Sequence, residues 1–448
     1  MQRRQDSSSF RCITRFNLPS LVRNFLKVLN FQEVYALKIK RYMKNFIITA
    51  LLSILCAACQ QNTPAGSLTP DLLTAPWEQI EQSAKGSTVR MMMWQGDPLI
   101  NRYMSTWVVP EVKKRYDITL EVSPWEVGEI PKIFMAEIEA NQQYSSLDIG
   151  WINGENFFQV RQLDALFGPF AKRLPNAQFI DFQNPFIGID FQQPVDGYEC
   201  PWGNVQECII YDSIRTPQPP RTLAALETYV KTHPGKFTIP FEFTGMTLLK
   251  AWLIALAGER HALDGPFDEV KYKAISAQLF EYINRIKPYF WRKGETFPES
   301  LASMHQMFAN GELDFTMSNN DNEVDNKILQ NIFPGSAKSF VFESGTIQNS
   351  HYLAIPKRAR NQAGAMTVIN FLISPEAQLQ KLNPAVWGDG TVLNIPALPA
   401  EWKTRFENIP QRKNAPKRSE IQPFALQEPA PEYMIRLFAD FRKAVIER

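Results

Sequence analysis

Between residues 88 and 151 short apolar runs alternate with amphipathic stretches, and that alternation narrows the choice of folds more than any other feature. Residues 88–94 (TVRMMMW) read as a buried strand. Asp97-Pro98 opens a helix to about Tyr116, with Leu99, Tyr103 and Trp107 spaced by four along one face. Residues 118–122 alternate as a second strand. Residues 129–143 are helical, with Ile133, Ala136 and Ala140 on one stripe, and 147–151 form a third strand. This β-α-β-α-β order predicts an α/β fold with a mostly parallel, doubly wound sheet, in which ligands gather beyond the carboxyl ends of the strands.

The residues just beyond those strand ends give the first functional signal. The first strand runs into Trp94-Gln95-Gly96-Asp97, the third into Trp151-Ile152-Asn153-Gly154-Glu155-Asn156. Each is an aromatic followed by glycine, amide and acid. Small residues let backbone approach a ligand, while amides and carboxylates fix its polar groups. The competing role is structural: core tryptophans, and Asn or Asp capping the next helix. Recurrence at two equivalent places in one sheet favours a ligand.

The middle of the chain repeats the alternation. Strands are expected at 205–211, 238–243 and 313–317, and helices at 223–232, 246–257, 268–285 and 300–310. Thr244-Gly245 opens the apolar 246–257 helix, whose first N–H groups have no partner within the helix. The strand at 313–317 runs into Ser318-Asn319-Asn320-Asp321-Asn322-Glu323, which lacks the spacing of a calcium loop. Residues 344–355 return as a strand, 360–373 as a helix, and Ser374-Pro375-Glu376 restarts one with a cap, Pro at N1 and an acid in the first turn. Trp387-Gly388-Asp389-Gly390-Thr391 is turn-rich, with an aromatic and an acid. Cys200 and Cys208 flank Pro201-Trp202-Gly203, which could turn the chain back into a disulfide; two reduced, half-buried thiols would look the same.

The first sixty residues read as an address. From Met43 the sequence MKNFIITALLSILCAACQQ sets one lysine before the apolar run 46–58, too short to span a bilayer and suited to a signal segment. Cys56-Ala57-Ala58-Cys59 resembles a bacterial lipoprotein box, with Cys56 where leucine is usual. That implies lipidation of Cys59; the alternative is an ordinary cleaved signal and an unanchored periplasmic protein. Residues 1–42 are basic, do not read as a domain and precede a complete signal, so translation is expected to begin at Met43. Residues 59–75, rich in Gln, Asn, Thr, Pro, Gly and Ser, are a flexible tether. Residues 1–44 carry ten of the 48 Lys and Arg but two of the 46 acids, leaving 38 bases against 44 acids in the remainder. So mildly acidic a body argues against nucleic acid.

Catalytic and metal signatures are missing. The four histidines are scattered, and no HExxH, CxxC, GxSxG, Walker A or GxGxxG pattern occurs. No cofactor, metal or enzymatic activity is expected.

Export, two sheet modules and polar strand ends together resemble the substrate-binding proteins of ABC importers, of the type II periplasmic binding fold, over nearly all of 86–448. The 203–213 stretch (GNVQECIIYDS) is similar to the strand by which that family crosses between lobes, and 345–356 (GTIQNSHYLAIP) to the return crossing. WQGDPLIN (94–101), WINGENF (151–157), GPFAKRLPN (168–176) and WGDGTVL (387–393) resemble its Ynj-type subgroup. The resemblance implies two lobes, each a mostly parallel sheet flanked by helices, with 76–204 and 346–448 forming one and 205–345 the other. It implies hinge closure on a small solute, a permease and an ATPase as partners, and a monomer in the periplasm. The implied lining is Trp94, Gln95, Gly96, Asp97, Trp151, Asn153, Glu155, Asn156, Trp202, Thr244, Gly245, Ser318, Asn319, Asn320, Asp321, Asn349, Trp387 and Asp389. Aromatic faces with carboxylates suit a thiamine- or polyamine-like cation. A carbohydrate is the alternative ligand, and a periplasmic enzyme on the same fold the alternative function.

Overall fold

The computed structural model describes residues 71–125 and 128–447. The upstream extension, the signal segment, Cys59 and the tether as far as residue 70 lie outside the described residues. Residues 71–75, expected to close the tether, already belong to the fold: Ala75 is buried and its carbonyl accepts from Arg173 (2.6 Å).

In the first sheet β1 (Thr88–Met93) pairs in parallel with β2 (Thr119–Pro124) and β3 (Ile149–Ile152). Val89, Met91 and Met93 are buried, while Arg90 reaches Glu121 of β2 (3.5 Å), the period-two pattern of a half-covered strand. Asp97 caps α1 (Pro98–Tyr103). The expected 97–116 helix is present, but a π turn at Met104–Val108 separates α1 from the helix Val109–Tyr116. Pro110 has no N–H to offer the preceding turn, and the wider turn accommodates it. Helix α2 (Gly154–Gln162) follows β3.

A two-residue hairpin, β4 (Ile189–Asp190) and β5 (Gln193–Pro194), precedes the passage to the second sheet. One strand was expected at 205–211; the chain makes two, β6 (Glu199–Gln206) and β7 (Cys208–Asp212), with Glu207 alone between them. β7 is the middle strand of the second sheet, antiparallel to both β8 (Phe315–Ser318) and β9 (Ala337–Phe340). The mostly parallel expectation therefore holds for β1–β3 and fails in the second lobe, because the crossing strand enters between two strands that run against it. β10 (Thr346–Ala354) returns antiparallel to β6 and β3, and its first residues pair in parallel with β11 (Ala425–Leu426).

Two further expectations are corrected. Residues 238–243 form no strand, although Thr238 and Ile239 are buried; Pro240 has no ladder donor, and Phe241 N–H bonds the Pro298 carbonyl instead. Pro201-Trp202-Gly203 is no turn but the interior of β6. Cys200 and Cys208 thus lie along nearly extended chain, roughly 26 Å apart at about 3.3 Å per residue, and both are free, buried thiols.

The cores divide as the sheets do. The first gathers apolar side chains from residues 75–202 and 352–406. The second takes residues 209–347, including α3 (Phe243–Leu256). A smaller cluster joins Cys208, Ile210, Phe308 and Phe333 to Val324 of α4 (Glu323–Leu329). Helix α5 (Pro431–Phe441), expected with the first lobe, packs Tyr433, Leu437 and Phe441 into the second core. Its apolar stripe matches the groove beside α3, so the chain ends on the lobe it had left.

Candidate functional site

The end of β1 holds Trp94, 40% exposed, with its ring folded over Gly96, where a Cβ would collide with the indole. Asp97 is divided between two tasks. One oxygen accepts the Leu99 N–H (2.6 Å); the other meets the Lys327 ammonium of α4 (2.6 Å). Lys327 also lies 3.0 Å from Glu323, and His305 3.6 Å from the same carboxylate. Burial alone would raise Glu323, but His305 and Lys327 hold it down to about 2. The Gln95 carbonyl accepts from Asn101 (2.9 Å).

At the end of β3, Trp151 enters an aromatic nest. Its ring centroid lies 5.0 Å from Trp202, edge-on, and 4.8 Å from His351, while Trp387 lies 5.4 Å from Trp202. All three indoles are buried, so their faces are spent mainly on one another. The β6–β10 register skips between His351–Gly203 and Tyr352–Pro201, leaving Trp202 as the bulged residue. Asp389 lies beneath the nest, bonded to His351 Nε2 (3.0 Å) and to the Lys381 ammonium. Gly203 is required here, because a Cβ would strike the His351 ring and the Asp389 carboxylate. The sequence offers this glycine as part of a turn and as the start of the crossing strand, not as the floor of an aromatic cluster.

Asn153, half-buried, precedes α2 without capping it. The next two polar residues are enclosed: Glu155 and Asn156 are buried, and no other residue offers a hydrogen bond to the Glu155 carboxylate or to the Asn156 side-chain amide. Burial raises Glu155 to about 6, with its own N–H and Lys250 opposing and Glu428 adding to the rise.

The second lobe brings the Thr244 and 318–321 segments together: Asn319 Nδ2 donates to Thr244 Oγ1 (3.3 Å). The Thr244 N–H is not free for an anion, because the Glu242 carboxylate caps it (3.0 Å). Gly245 allows the helix start to pass the Pro240 carbonyl. Ser318 Oγ accepts the Asn320 N–H (3.0 Å). Asp321 is neutralised by Arg412 and by Arg418 (2.5 Å), and also accepts the Gln206 N–H (3.0 Å). Against the effect of burial, these partners hold it down to about 2.

Asn349 lies beside a group to which no motif pointed. It donates to Glu428 Oε1 (3.0 Å), whose other oxygen takes the Lys250 ammonium (2.5 Å). Lys250 is fully buried, 4.3 Å from the Phe191 ring centroid. Asp190, Glu199 and Glu207 are buried nearby, with one, two and two carboxylate oxygens unpartnered; burial pushes all three well up. A lysine within the apolar run GMTLLKAWLIALA was the one available signal. Asp190, Phe191, Asn349 and Glu428 line a cavity of about 10 Å³.

Asp97, Asp321 and Asp389, read as carboxylates for a ligand, are therefore each engaged with a cation of the chain itself. Glu155 is not paired in this way. Among the described residues no group of His, Cys, Asp and Glu is placed to hold a metal ion, and no helix is long and apolar enough to cross a membrane.

Two sheets joined by adjacent strand crossings, with polar strand ends meeting between them, define a two-lobed binding protein. Residues 107–408 match the family described as bacterial extracellular solute-binding protein, and the chain belongs to that family. Protein YnjB of Escherichia coli (strain K12) is a curated relative, 38% identical over 327 residues, covering 72% of this chain and 84% of its own length. In fold the chain is similar to a putative spermidine/putrescine ABC transporter from Listeria monocytogenes, at a TM-score of 0.56 and 16% identity, over 79% of this chain and 98% of that one. It is also similar to the periplasmic binding protein AfuA from Actinobacillus pleuropneumoniae, described with fructose-6-phosphate bound, at a TM-score of 0.56 and 14% identity, over 80% and 98%. These likenesses establish the α/β periplasmic binding protein fold. The family is one of solute binding, not catalysis.

Proposed function

We propose that this solute-binding protein captures a small organic cation of the thiamine or polyamine class between its lobes and delivers it to an ABC permease and its ATPase. The observation that carries this reading is Glu155, enclosed with no hydrogen bond or ion pair from any other side chain. A buried, unpaired carboxylate costs several kcal/mol, and a solute ammonium set against it would remove that cost. Asp190, Glu199 and Glu207 are further buried acids of the same region, each biased towards its protonated form by burial, with Lys250 and Arg161 as the neighbouring cations. A carbohydrate would want open aromatic faces, and the indoles of the nest have few left to offer. The name of the Listeria relative, a spermidine/putrescine transporter, points the same way.

Closure is a hinge motion about the β6–β7 and β10 crossings, with 76–204 and 346–409 moving against 205–345 and the segment from 410 to the C-terminal helix, whose Ala415 and Ile421 pack with Val324. Translation starts at Met43, residues 43–58 are removed, and a lipid on Cys59 holds the monomer at a membrane through its tether. Titration calorimetry with spermidine, putrescine, thiamine, glucose and fructose 6-phosphate tests the ligand class. Binding of a cation that Glu155→Gln abolishes supports it. A bound sugar, or a cation indifferent to Glu155→Gln, overturns it.

A further inference from the structure

Helix α4 faces two ways. Val324 packs with Cys208, Ile210, Phe308 and Phe333 on the second-lobe side. The opposite side meets the first lobe through three side chains. Asn326 Nδ2 donates to the Trp387 carbonyl (2.5 Å). Asn322 and Asn326 stand so close to Gly388 that a Cβ there would collide with both. Lys327 crosses to Asp97 at the end of β1 (2.6 Å), while held from its own helix by Glu323 (3.0 Å). Trp387 is part of the first core, and Asp97 caps α1, whose Ile100 and Tyr103 are part of it too. These contacts therefore tie one lobe to the other.

We propose that α4 is a built-in latch: Lys327 and Asn326 hold the lobes closed through Asp97 and the Trp387 carbonyl, with no solute required, and an entering solute must first open them.

The ion pair is of the kind that can do this. Its side chains are 7% and 14% exposed, so water screens it far less than a surface pair. Burial alone would lower the Lys327 ammonium, yet Glu323 and Asp97 hold its proton above the ordinary lysine range. The Asn326 bond ends on a backbone carbonyl, which no side-chain change in the first lobe can remove. The tip of α4 fits there because residue 388 is glycine, at a positive φ of 75°. Two kinds of contact, one charged and one neutral, thus act from successive positions of one helix. Neither contact depends on which solute is bound.

Small-angle scattering of the solute-free full chain tests it, with Lys327→Met, Asn326→Ala and Asp97→Asn compared with the parent. The latch predicts that the parent is compact, near the radius of gyration of about 21 Å expected for a folded body of this size. Each variant should shift to a larger radius while keeping its near-ultraviolet dichroism, and Lys327→Met combined with Asp97→Asn should go no further than either alone. Lys327→Arg, which keeps the charge, should stay compact. If Lys327→Met and Asn326→Ala both scatter as the parent does, the latch is refuted. Should Lys327→Met lose its fold, Asn326→Ala, which strands no charge, decides alone: an unchanged radius refutes, a larger one supports.

Discussion

Replacing Lys250 by methionine gives the sharpest test of the buried acidic group. The substitution keeps the length and apolar stem of the side chain, so packing within α3 is little disturbed. It removes the one ammonium bonded to Glu428 and leaves that carboxylate among Glu155, Asp190 and Glu207. Breaking a fully buried pair by deleting one partner costs about 3–5 kcal/mol, chiefly from the charge left behind. Unfolding entropy near 2.1 cal/mol/K per residue over roughly 380 residues turns this into a fall in melting temperature of about 4–6 °C at pH 7.5. The decisive feature is the pH dependence. A carboxyl raised by burial contributes stability that is complete below its unfolded pKa and is lost as pH rises through its folded one. Because Lys250 is the cation that opposes the burial-driven rise of Glu155, Asp190 and Glu207, the Lys250→Met deficit should shrink towards pH 5, and Lys250→Met with Glu428→Gln should recover most of it at pH 7.5. Scanning calorimetry at both pH values reads all three variants. A single variant within about 1 °C of the parent at pH 7.5, or a double variant no better than the single one, would refute the reasoning.

Other consequences are open to simpler measurements. Glu155→Gln should raise the stability of the solute-free protein above pH 7 by about 2 kcal/mol, from a rise to about 6 at 1.36 kcal/mol per unit, and flatten its melting profile near pH 6. An unchanged profile would show that Glu155 is already satisfied. Asp321→Asn should cost about 3–5 kcal/mol by leaving Arg412 and Arg418 without their carboxylate. Because Asp321 is depressed to about 2, its contribution is present above pH 4 and is lost only as pH falls towards 2. The gap between parent and variant at pH 7 should therefore persist at pH 5. Gly203→Ala should destabilise by about 1–3 kcal/mol through overpacking against His351, and a variant as stable as the parent in urea would contradict the crowding described.

Local chemistry was readable from the sequence, distant pairing was not. Asp97 and Ser374 act as the caps their neighbours imply, because a cap is decided within three residues. The strand ends of β1, β3 and β8 were located for the same reason. Asp97 and Asp321 looked available to a ligand because their cations are remote in the chain, Lys327 being 230 residues from Asp97 and Arg418 97 from Asp321; Lys381 is only 8 from Asp389, across a turn that the sequence does not orient. Glu155 stands apart in structure, yet in sequence it looks like the others. Proline and glycine misled at 201–203, where an edge strand with a bulge tolerates both. Lys250 and Glu428 are 178 residues apart, and although a lysine in an apolar run is a signal, nothing in the sequence names its partner.

The passage between sheets has a mechanical consequence. Glu207 is the single residue between β6 and β7, and its N–H is bonded to the Ile347 carbonyl of β10 (2.8 Å). β10 makes its own crossing at the same height, with Ile347 in the second core and Tyr352 in the first. The outward and return chains are thus fastened side by side at the place where the proposed closure would bend them. Two separate strings would let one body swing, slide and swivel against the other. A laced pair bends like a strip of leather: it folds readily across its width, and resists any shear that would tear one strand from its neighbour.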